Sequence, residues 1–412
     1  MTPPPNRSPH EIVDYLRQSH VFLHDDCWPH YEGDQDELSQ HPLIIGSEAV
    51  ACSPLLGYGE ETLEALDAIG FNCAPKYLCP AGANSPTEAI LANAPLADAL
   101  AEGLKGRRLS IFYPDASRSV ELIESLVSRS QVEAHQLPSP HEFQRCSDRT
   151  VTDGYLRRIG AGTIEATTSD SLAEISSFRS AVGGEVVLKC HHHPTVVAAS
   201  DKDVASYLRS VCETGLTSPI RAEKRHSVIS SPVVAILIDD LGNASLLYVA
   251  EQLFSKGCNH VGNVFSSEFD TNGRYDDCLK LAQLIAEENP SMRSGVVGLD
   301  LIRLADGRQF IIDVNARFNS STFPALFVQS AFDEVPYAAI YKKYVSRGIK
   351  SLDEVFERCS FEMMSSGYGT LLFSPRSING ELSHFYGVSV GCDAQRALEQ
   401  ADQILQASSR DC

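Results

Sequence analysis

Basic side chains are scarce in this chain. Its 34 Lys and Arg face 54 Asp and Glu, a formal charge of −20 over 412 residues with an isoelectric point near 5.0. That balance excludes a general nucleic-acid binder, which needs a basic face. It also requires any polyanionic ligand to be met by locally placed cations. Apolar runs are short as well. None approaches the roughly 18 residues that span a bilayer, so no membrane partner is expected. The opening MTPPPNRSPHEIVDYL is polar and proline-rich, without the apolar core of an export signal. The twelve cysteines include no C-x-x-C pair, which predicts reduced thiols in a cytoplasm rather than a disulfide framework or structural zinc. Also missing are Gly-x-x-x-x-Gly-Lys and His-Glu-x-x-His, and with them the P-loop and helical zinc-peptidase readings. Gly57-Tyr58-Gly59 lacks the third glycine of a dinucleotide fingerprint. Repeats, heptads and low-complexity tracts are not found. With 43% hydrophobic and 21% charged residues, the chain has the make-up of a globular enzyme of two or three domains.

Ahead of Pro42 a polar lead-in predicts one short helix, Ile12 to Gln18, and loops. The run HPLII predicts an apolar strand, after which Leu63, Leu66 and Ile69 recur at helical spacing. A strand in RRLSIFYP and a helix in SVELIESLVSRS continue the alternation of a small open α/β unit, placed at residues 1–146. From Ser147 the pattern changes. Helices are expected in RTVTDGYLRRIG, SLAEISSFRSAVG and DVASYLRSVCET, and strands in EVVLKC, TVVAAS, SPIRAEKRH and SPVVAILID. Pro336 to Gly348 reads as a helix with proline at its start and glycine at its end. Another helix follows Asp353, and the chain closes with a strand in GYGTLLFSPR and a helix in AQRALEQADQIL.

The most informative segment is GVVGLDLIRLADGRQFIIDVNARFNSSTFP, Gly295 to Pro324. Two strand-like runs flank Ala305-Asp306-Gly307-Arg308, the chemistry of a hairpin turn. Period-2 alternation puts Asp313, Asn315 and Arg317 on one face and Ile312, Val314 and Ala316 on the other, with Asp300 on the partner strand. Two carboxylates and an amide beside a guanidinium suit Mg²⁺ bridging nucleotide phosphates and a phosphoryl group in transfer. The competing reading is an ordinary surface hairpin with a stray acid cluster.

This arrangement resembles the metal-binding end of the ATP-grasp superfamily, whose pattern is an acid on one strand and Glu-x-Asn-x-Arg a hairpin later. Here the motif is Asp-Val-Asn-Ala-Arg, so Asp313 stands in place of glutamate and its carboxylate is retracted by about one methylene. The run VISSPVVAILIDD and the segment AEQLFSKGCNHVGNVF (Ala250 to Phe265) resemble the peptide and amino-acid ligases of the superfamily that carry an extra N-terminal domain, the latter looking like their Gln-containing helix and Gly-Asn turn. The fold implied is an α/β N-terminal (pre-ATP-grasp) domain, residues 1–146, followed by an α+β ATP-grasp fold. Its small subdomain would span 147–215 and its large subdomain 216–412 with a C-terminal extension, and the nucleotide would sit in the cleft between them.

The resemblance assigns roles residue by residue. Asp300, Asp313 and Asn315 would hold one or two Mg²⁺ ions, with Mn²⁺ as a substitute. Lys189, at the end of an apolar strand, and Arg149, where relatives carry a second lysine, would neutralise the ATP phosphates. For Lys189 the competing reading is a strand end emerging into solvent; for Arg149 it is an exposed helix-start arginine. Glu223 would be the hinge acid beside which adenine packs. Arg317 would steady the transferring phosphoryl group, and Asn319, Ser320 and Thr322 would grip the carboxylate substrate. Relatives follow the strand-end lysine with a glycine-rich lid, whereas Lys189 is followed by Cys190-His191-His192-His193-Pro194. Either the lid is short, with imidazoles as phosphate donors, or the nucleotide site is weakened. The implied activity is an ADP-forming carboxylate–amine ligase acting on small-molecule carboxylates and amines, in the class of amino acids or short peptides, and dimers are common among relatives. Two alternatives stand beside it: a regulatory ATP-binding module without chemistry, and an enzyme making carboxyphosphate from bicarbonate, disfavoured for want of a biotin-accepting partner.

Overall fold

A computed structural model describes residues 8–24, 38–51, 58–80, 86–112, 116–129, 137, 139–190, 193–214, 219–255, 260–267, 275–332, 336–359, 368–376 and 383–408. Strands β1 (His20–His24), β2 (Glu48–Ala51), β3 (Tyr77–Leu78) and β4 (Arg108–Phe112) form a parallel sheet in the order β3-β2-β1-β4. Helices Pro86–Ala92, Ala94–Gly103 and Ala116–Ser128 flank it, which is the α/β unit the alternation implies. Two details differ from expectation. The segment expected to be a strand around Leu43 is a 3-10 helix, Leu38–Ile45, with Pro42 inside it. The central strand is instead β1, hidden in the supposed lead-in because HVFLH is buried on both faces and shows no alternation. Gly59, at the head of the helix Glu60–Ala68, donates its N–H to the Asp353 carboxylate at 2.5 Å, and Thr62 joins the same group at 2.6 Å. That helix start is therefore occupied by a side chain of the protein.

A second, antiparallel sheet holds β5 (Ala166–Ser169), β6 (Val186–Cys190), β7 (His193–Ala198) and β8 (Ile220–Lys224) in the order β5-β8-β6-β7, backed by helices Leu172–Ala181 and Asp201–Glu213. Strand β8 lies beyond residue 215 yet completes this sheet. Among the described residues the large sheet has nine strands: β9 (Val228–Ser230), β10 (Pro232–Ile238), β11 (Ala244–Phe254), β12 (His260–Ser266), β13 (Gly295–Leu304), β14 (Gln309–Asn315), β15 (Ala338–Ser346), β16 (Gly369–Arg376) and β17 (Ser383–Gly391). Strand β10 shows why it folds so. Val233, Ala235 and Leu237 enter one apolar cluster while Val234, Ile236 and Ile238 enter another, so a continuous apolar run is buried on both faces. Two expected helices are strands. Residues 250–254 belong to β11 and 260–265 to β12, and Pro336 to Gly348 contains β15, because AAIYKKYVS is rich in β-branched and aromatic residues that pack well in a pleated sheet. Gly387-Val388-Ser389-Val390-Gly391 has the spacing of a nucleophile elbow but runs along β17. Ser389 is buried there with its hydroxyl 3.0 Å from that of Thr370, far from the strained strand-to-helix turn such chemistry needs. Among the described residues no helix is long and apolar enough to cross a membrane.

The parallel sheet is welded to the large one. Phe22 of β1 packs edge-on against Phe318 and Phe323, each at 5.0 Å. His20 bridges Ser19 Oγ and the Ser294 carbonyl, both at 2.7 Å. Burial, opposed by the Ser294 bond, lowers the His20 pKa to about 4, so the folded state holds it neutral. An unfolded His20 takes a proton below about pH 6.5. Its stabilising contribution is therefore complete above that pH and is lost as pH falls towards 4, by up to about 3 kcal/mol. Urea titrations at pH 7.5 and 4.5 should show the wild type losing more stability than His20→Gln; equal losses would remove His20 from the acid sensitivity.

Candidate nucleotide and metal site

The hairpin β13–β14 forms with Asp300 directly opposite Asp313. Like charges at such a spacing repel. Burial first, then the Asp313 charge, pushes the Asp300 pKa up to about 7, and the nearby Arg149, Arg317 and Lys189 offset this only in part. Next to the pair, Asn315 Oδ1 accepts a hydrogen bond from Arg317 Nη2 at 2.8 Å. Two hard carboxylates held together against their repulsion, with an amide oxygen beside them, fit a divalent cation. Among the described residues no group of three or more His, Cys, Asp and Glu gathers as a metal site, so the amide oxygen is needed to complete this one.

The register shifts between Asp300 and Leu301, which pair with Asp313 and Ile311. Ile312 is thus an extra residue, a β-bulge. Alternation predicts Ile312, Val314 and Ala316 on the apolar face. The structure puts Ile311, Val314 and Ala316 there, and the bulge leaves the Ile312 carbonyl outside the ladder. Both expected phosphate-binding cations converge on that carbonyl. Arg149, at the start of the helix Arg149–Arg158, donates to it and also pairs with Asp313. Lys189 Nζ on β6 reaches it at 3.3 Å.

Lys189 is also paired with Glu223 at 2.7 Å, and Glu223 takes Arg221 Nε at 2.7 Å, while Arg221 reaches Asp153 at 2.8 Å. Burial alone would raise the Glu223 pKa; Lys189, Arg149 and Arg221 outweigh it and hold the carboxyl below its ordinary value. Glu223 is 4% exposed and lies outside the cavity lining. β8 turns its side chain toward the cations of the neighbouring strands, beside Lys189.

These groups face a cavity of about 710 Å³ between the small and large sheets, within the usual size of ligand sites. The structure brings Arg149, Lys189, Asp300, Asp313, Asn315 and Arg317 together in its walls, with Asn319 and Ser320 at one end. It does not bring Thr322 there. Thr322 is fully buried, and its hydroxyl donates to Asn319 Oδ1 at 2.6 Å, where Tyr248 OH also donates at 2.7 Å. Thr322 stands behind Asn319 rather than in the lining. Gly298 makes room for this arrangement: a Cβ there would stand 2.5 Å from Asn319 Nδ2. His193, the described member of the histidine run, lines the cavity with its ring edge-on to Tyr207 at 4.9 Å; His191 and His192 lie outside the described residues. Gln252, Asn263 and Arg221 also line the cavity but are not singled out as site residues by sequence. Gln252 and Asn263 sit in strands β11 and β12, and reading YVAEQLF as a strand of β-forming residues is the signal that finds them.

No protein-family model and no curated protein matches the chain by sequence. Solved structures do match. The N5-carboxyaminoimidazole ribonucleotide synthetase from Thermus thermophilus shares 11% identity at a TM-score of 0.56, over 94% of this chain and 98% of that one. The N5-carboxyaminoimidazole synthetase from Staphylococcus aureus complexed with ADP shares 10% at 0.54, over 94% and 97%. Rhizobium etli pyruvate carboxylase shares 15% at 0.59, over 94% of this chain and 37% of that one. The chain has the fold of these synthetases and of the matched part of the carboxylase: an N-terminal α/β domain followed by the two-part ATP-grasp fold.

Proposed function

We propose that the protein is an ATP-dependent, ADP-forming carboxylate–amine ligase. The observation that carries this reading is the convergence of an aspartate pair, an asparagine and three cations on one cavity in the ATP-grasp fold. A carboxylate oxygen attacks the γ-phosphorus of ATP, the bond to the β–γ bridging oxygen breaks, and ADP leaves with that electron pair. An amine then adds to the acyl carbon of the acyl phosphate, phosphate departs, and the amine proton passes to solvent. Positioning and charge neutralisation suffice for both steps.

In this reading Arg149 and Lys189 meet the phosphates that are not transferred, and Arg317 steadies the phosphoryl group in flight. Asn319, fixed by Tyr248 and Thr322, and Ser320 hold the carboxylate. Asp300, Asp313 and Asn315 would hold Mg²⁺, or Mn²⁺ in its place; bound there, the ion offsets phosphate charge. Residues 1–146, 147–215 and 216–412 are the proposed N-terminal domain, small subdomain and large subdomain, with β8 allotted to the small one. Amino acids or short peptides are the proposed substrates. A second reading, carboxylation of a small amine from bicarbonate, is favoured by the fold shared with the carboxyaminoimidazole synthetases and pyruvate carboxylase. The synthetases' names place the carboxyl group on an aminoimidazole, an acceptor of the small-amine kind that this reading calls for.

The test is ADP and phosphate release from ATP and Mg²⁺ with pooled amino acids in one arm, and bicarbonate with small amines in another. Release that needs both a carboxylate and an amine supports ligation, and the arm that responds selects the substrate. ADP binding without release under any pairing would leave a regulatory nucleotide-binding module. Lys189→Ala should weaken ATP binding about tenfold or more, the worth of a charge-assisted contact. Unchanged affinity by calorimetry would remove Lys189 from the site.

A further inference from the structure

The geometry points to Gln252 as a positioning residue for the aspartate pair, held in turn by Ser231. The inference rests on the proposed role of Asp300. On the cavity face of the large sheet, Asp300 of β13 stands opposite Val233 of β10. Val233 stands opposite Ala250 of β11. Gln252, two residues beyond Ala250, shares that face and reaches diagonally across Val233. Its Nε2 donates to Asp300 Oδ1 at 3.2 Å. At the far end Ser231 Oγ lies 3.0 Å from Gln252 Oε1 and 3.0 Å from the Leu301 carbonyl, so its one proton is shared between these two acceptors. Ser231 is fixed as well: its backbone N–H donates to Glu251 Oε1 at 2.5 Å, and Ser230 Oγ donates to Glu251 Oε2 at 2.9 Å.

The consequence for Asp300 is directional. A buried carboxylate with two free oxygens can rotate; one oxygen anchored by an amide presents the other to the cavity. Arg149 ties Asp313 from the opposite side. The two acids are therefore aimed by different groups, Asp313 by a cation and Asp300 by a neutral amide. This arrangement also gives a purpose to Ser230-Ser231-Pro232 and Ala250-Glu251-Gln252, which the assigned site roles leave unexplained. A glutamine is suited to the task because its donor end holds the carboxylate without adding charge to the site.

Partners that orient a metal ligand are worth about 10- to 100-fold in metal affinity when lost. Binding of Mn²⁺ to the full chain in the presence of ADP, followed by electron paramagnetic resonance, should weaken at least about tenfold in Gln252→Leu. Ser231→Ala should weaken it in the same direction and by less. Binding of ADP without metal should stay at the wild-type value in both, which a general loss of structure would not allow. Gln252→Asn, whose shorter arm cannot span Val233, serves if the leucine variant fails to fold, and is expected to lose Mn²⁺ affinity equally. Wild-type Mn²⁺ affinity in a folded Gln252 variant overturns the positioning role alone. No Mn²⁺ binding by the wild type overturns the metal reading and this inference together.

Discussion

Asp313→Asn should leave a folded protein that releases ADP at least about a hundredfold more slowly, the equivalent of roughly 3 kcal/mol of transition-state stabilisation. The two halves of this expectation come from the same feature. Asp313 opposes Asp300 across the ladder and helps drive its pKa up to about 7 after burial has done most of it. Removing one negative charge relieves that repulsion, and the exposed side of Asp313 leaves little packing to lose. Stability should therefore stay within about 1 kcal/mol of wild type, against a loss of function that is nearly complete. Arg149 sharpens the prediction. Without a nucleotide it is the counter-ion of Asp313, and with Lys189 it is fastened to the Ile312 carbonyl. Phosphates that draw both cations away would leave Asp313 to a divalent ion, so nucleotide and metal should each tighten the binding of the other. In Asp313→Asn that reciprocity should disappear. Phosphate release assays and ADP titrations with and without Mn²⁺ read both quantities. Turnover near wild type would end the metal assignment at this position.

How much of this is visible in the residues differs by element. The hairpin is legible because its turn chemistry, alternation and acid spacing all agree, and positions 300, 313, 315 and 317 line one cavity. The bulge at Ile312 is not, since one inserted residue leaves no trace in a strand pattern that is apolar on both sides. Helices with capping residues and an amphipathic stripe, such as Asp201–Glu213 behind its Ser200 cap, are plain in the sequence. β15 reads as a helix because Pro336 and Gly348 bracket it as helix ends do, and the end of β11 because it resembles a Gln-containing helix; only tertiary pairing decides otherwise. β1 escapes for the opposite reason: five residues buried all round carry no periodicity. Thr322 and Glu223 show a further limit. Sequence places them close to the site, but whether a side chain meets a ligand or a neighbouring side chain is set by the packing of strands distant in the chain.

Glu223→Ala should cost about 3–5 kcal/mol of folding stability, although Glu223 stands behind the cavity lining rather than in it. The carboxylate is enclosed between Lys189 and Arg221, each at 2.7 Å. Arg221 keeps Asp153 when Glu223 is lost, whereas Lys189 keeps, among the described residues, the Ile312 carbonyl and the nearby Asp300 but no ion-pair contact. The variant therefore strands an ammonium group that is largely out of water, and this desolvated charge, more than the missing contact, is the source of the loss. The pH dependence follows from the direction of the Glu223 shift. Its folded pKa lies below the ordinary 4.5, so its contribution is complete above that value and is lost as pH falls through the folded one. The gap in urea midpoint between wild type and variant should be constant from pH 6 to 8 and should narrow below about pH 4.5. Adding Lys189→Met to Glu223→Leu removes the stranded charge and replaces the pair with apolar volume, so the double variant should be more stable than Glu223→Ala. It should also bind ATP poorly, which separates the two roles of Lys189: in the protein alone its charge answers a buried acid, and in the proposed complex it answers a phosphate. A loss below about 1 kcal/mol in Glu223→Ala, or a double variant no better than the single one, would show that Lys189 leaves the acid for solvent at little cost. The ion pair would then be a resting contact rather than a support of the small sheet.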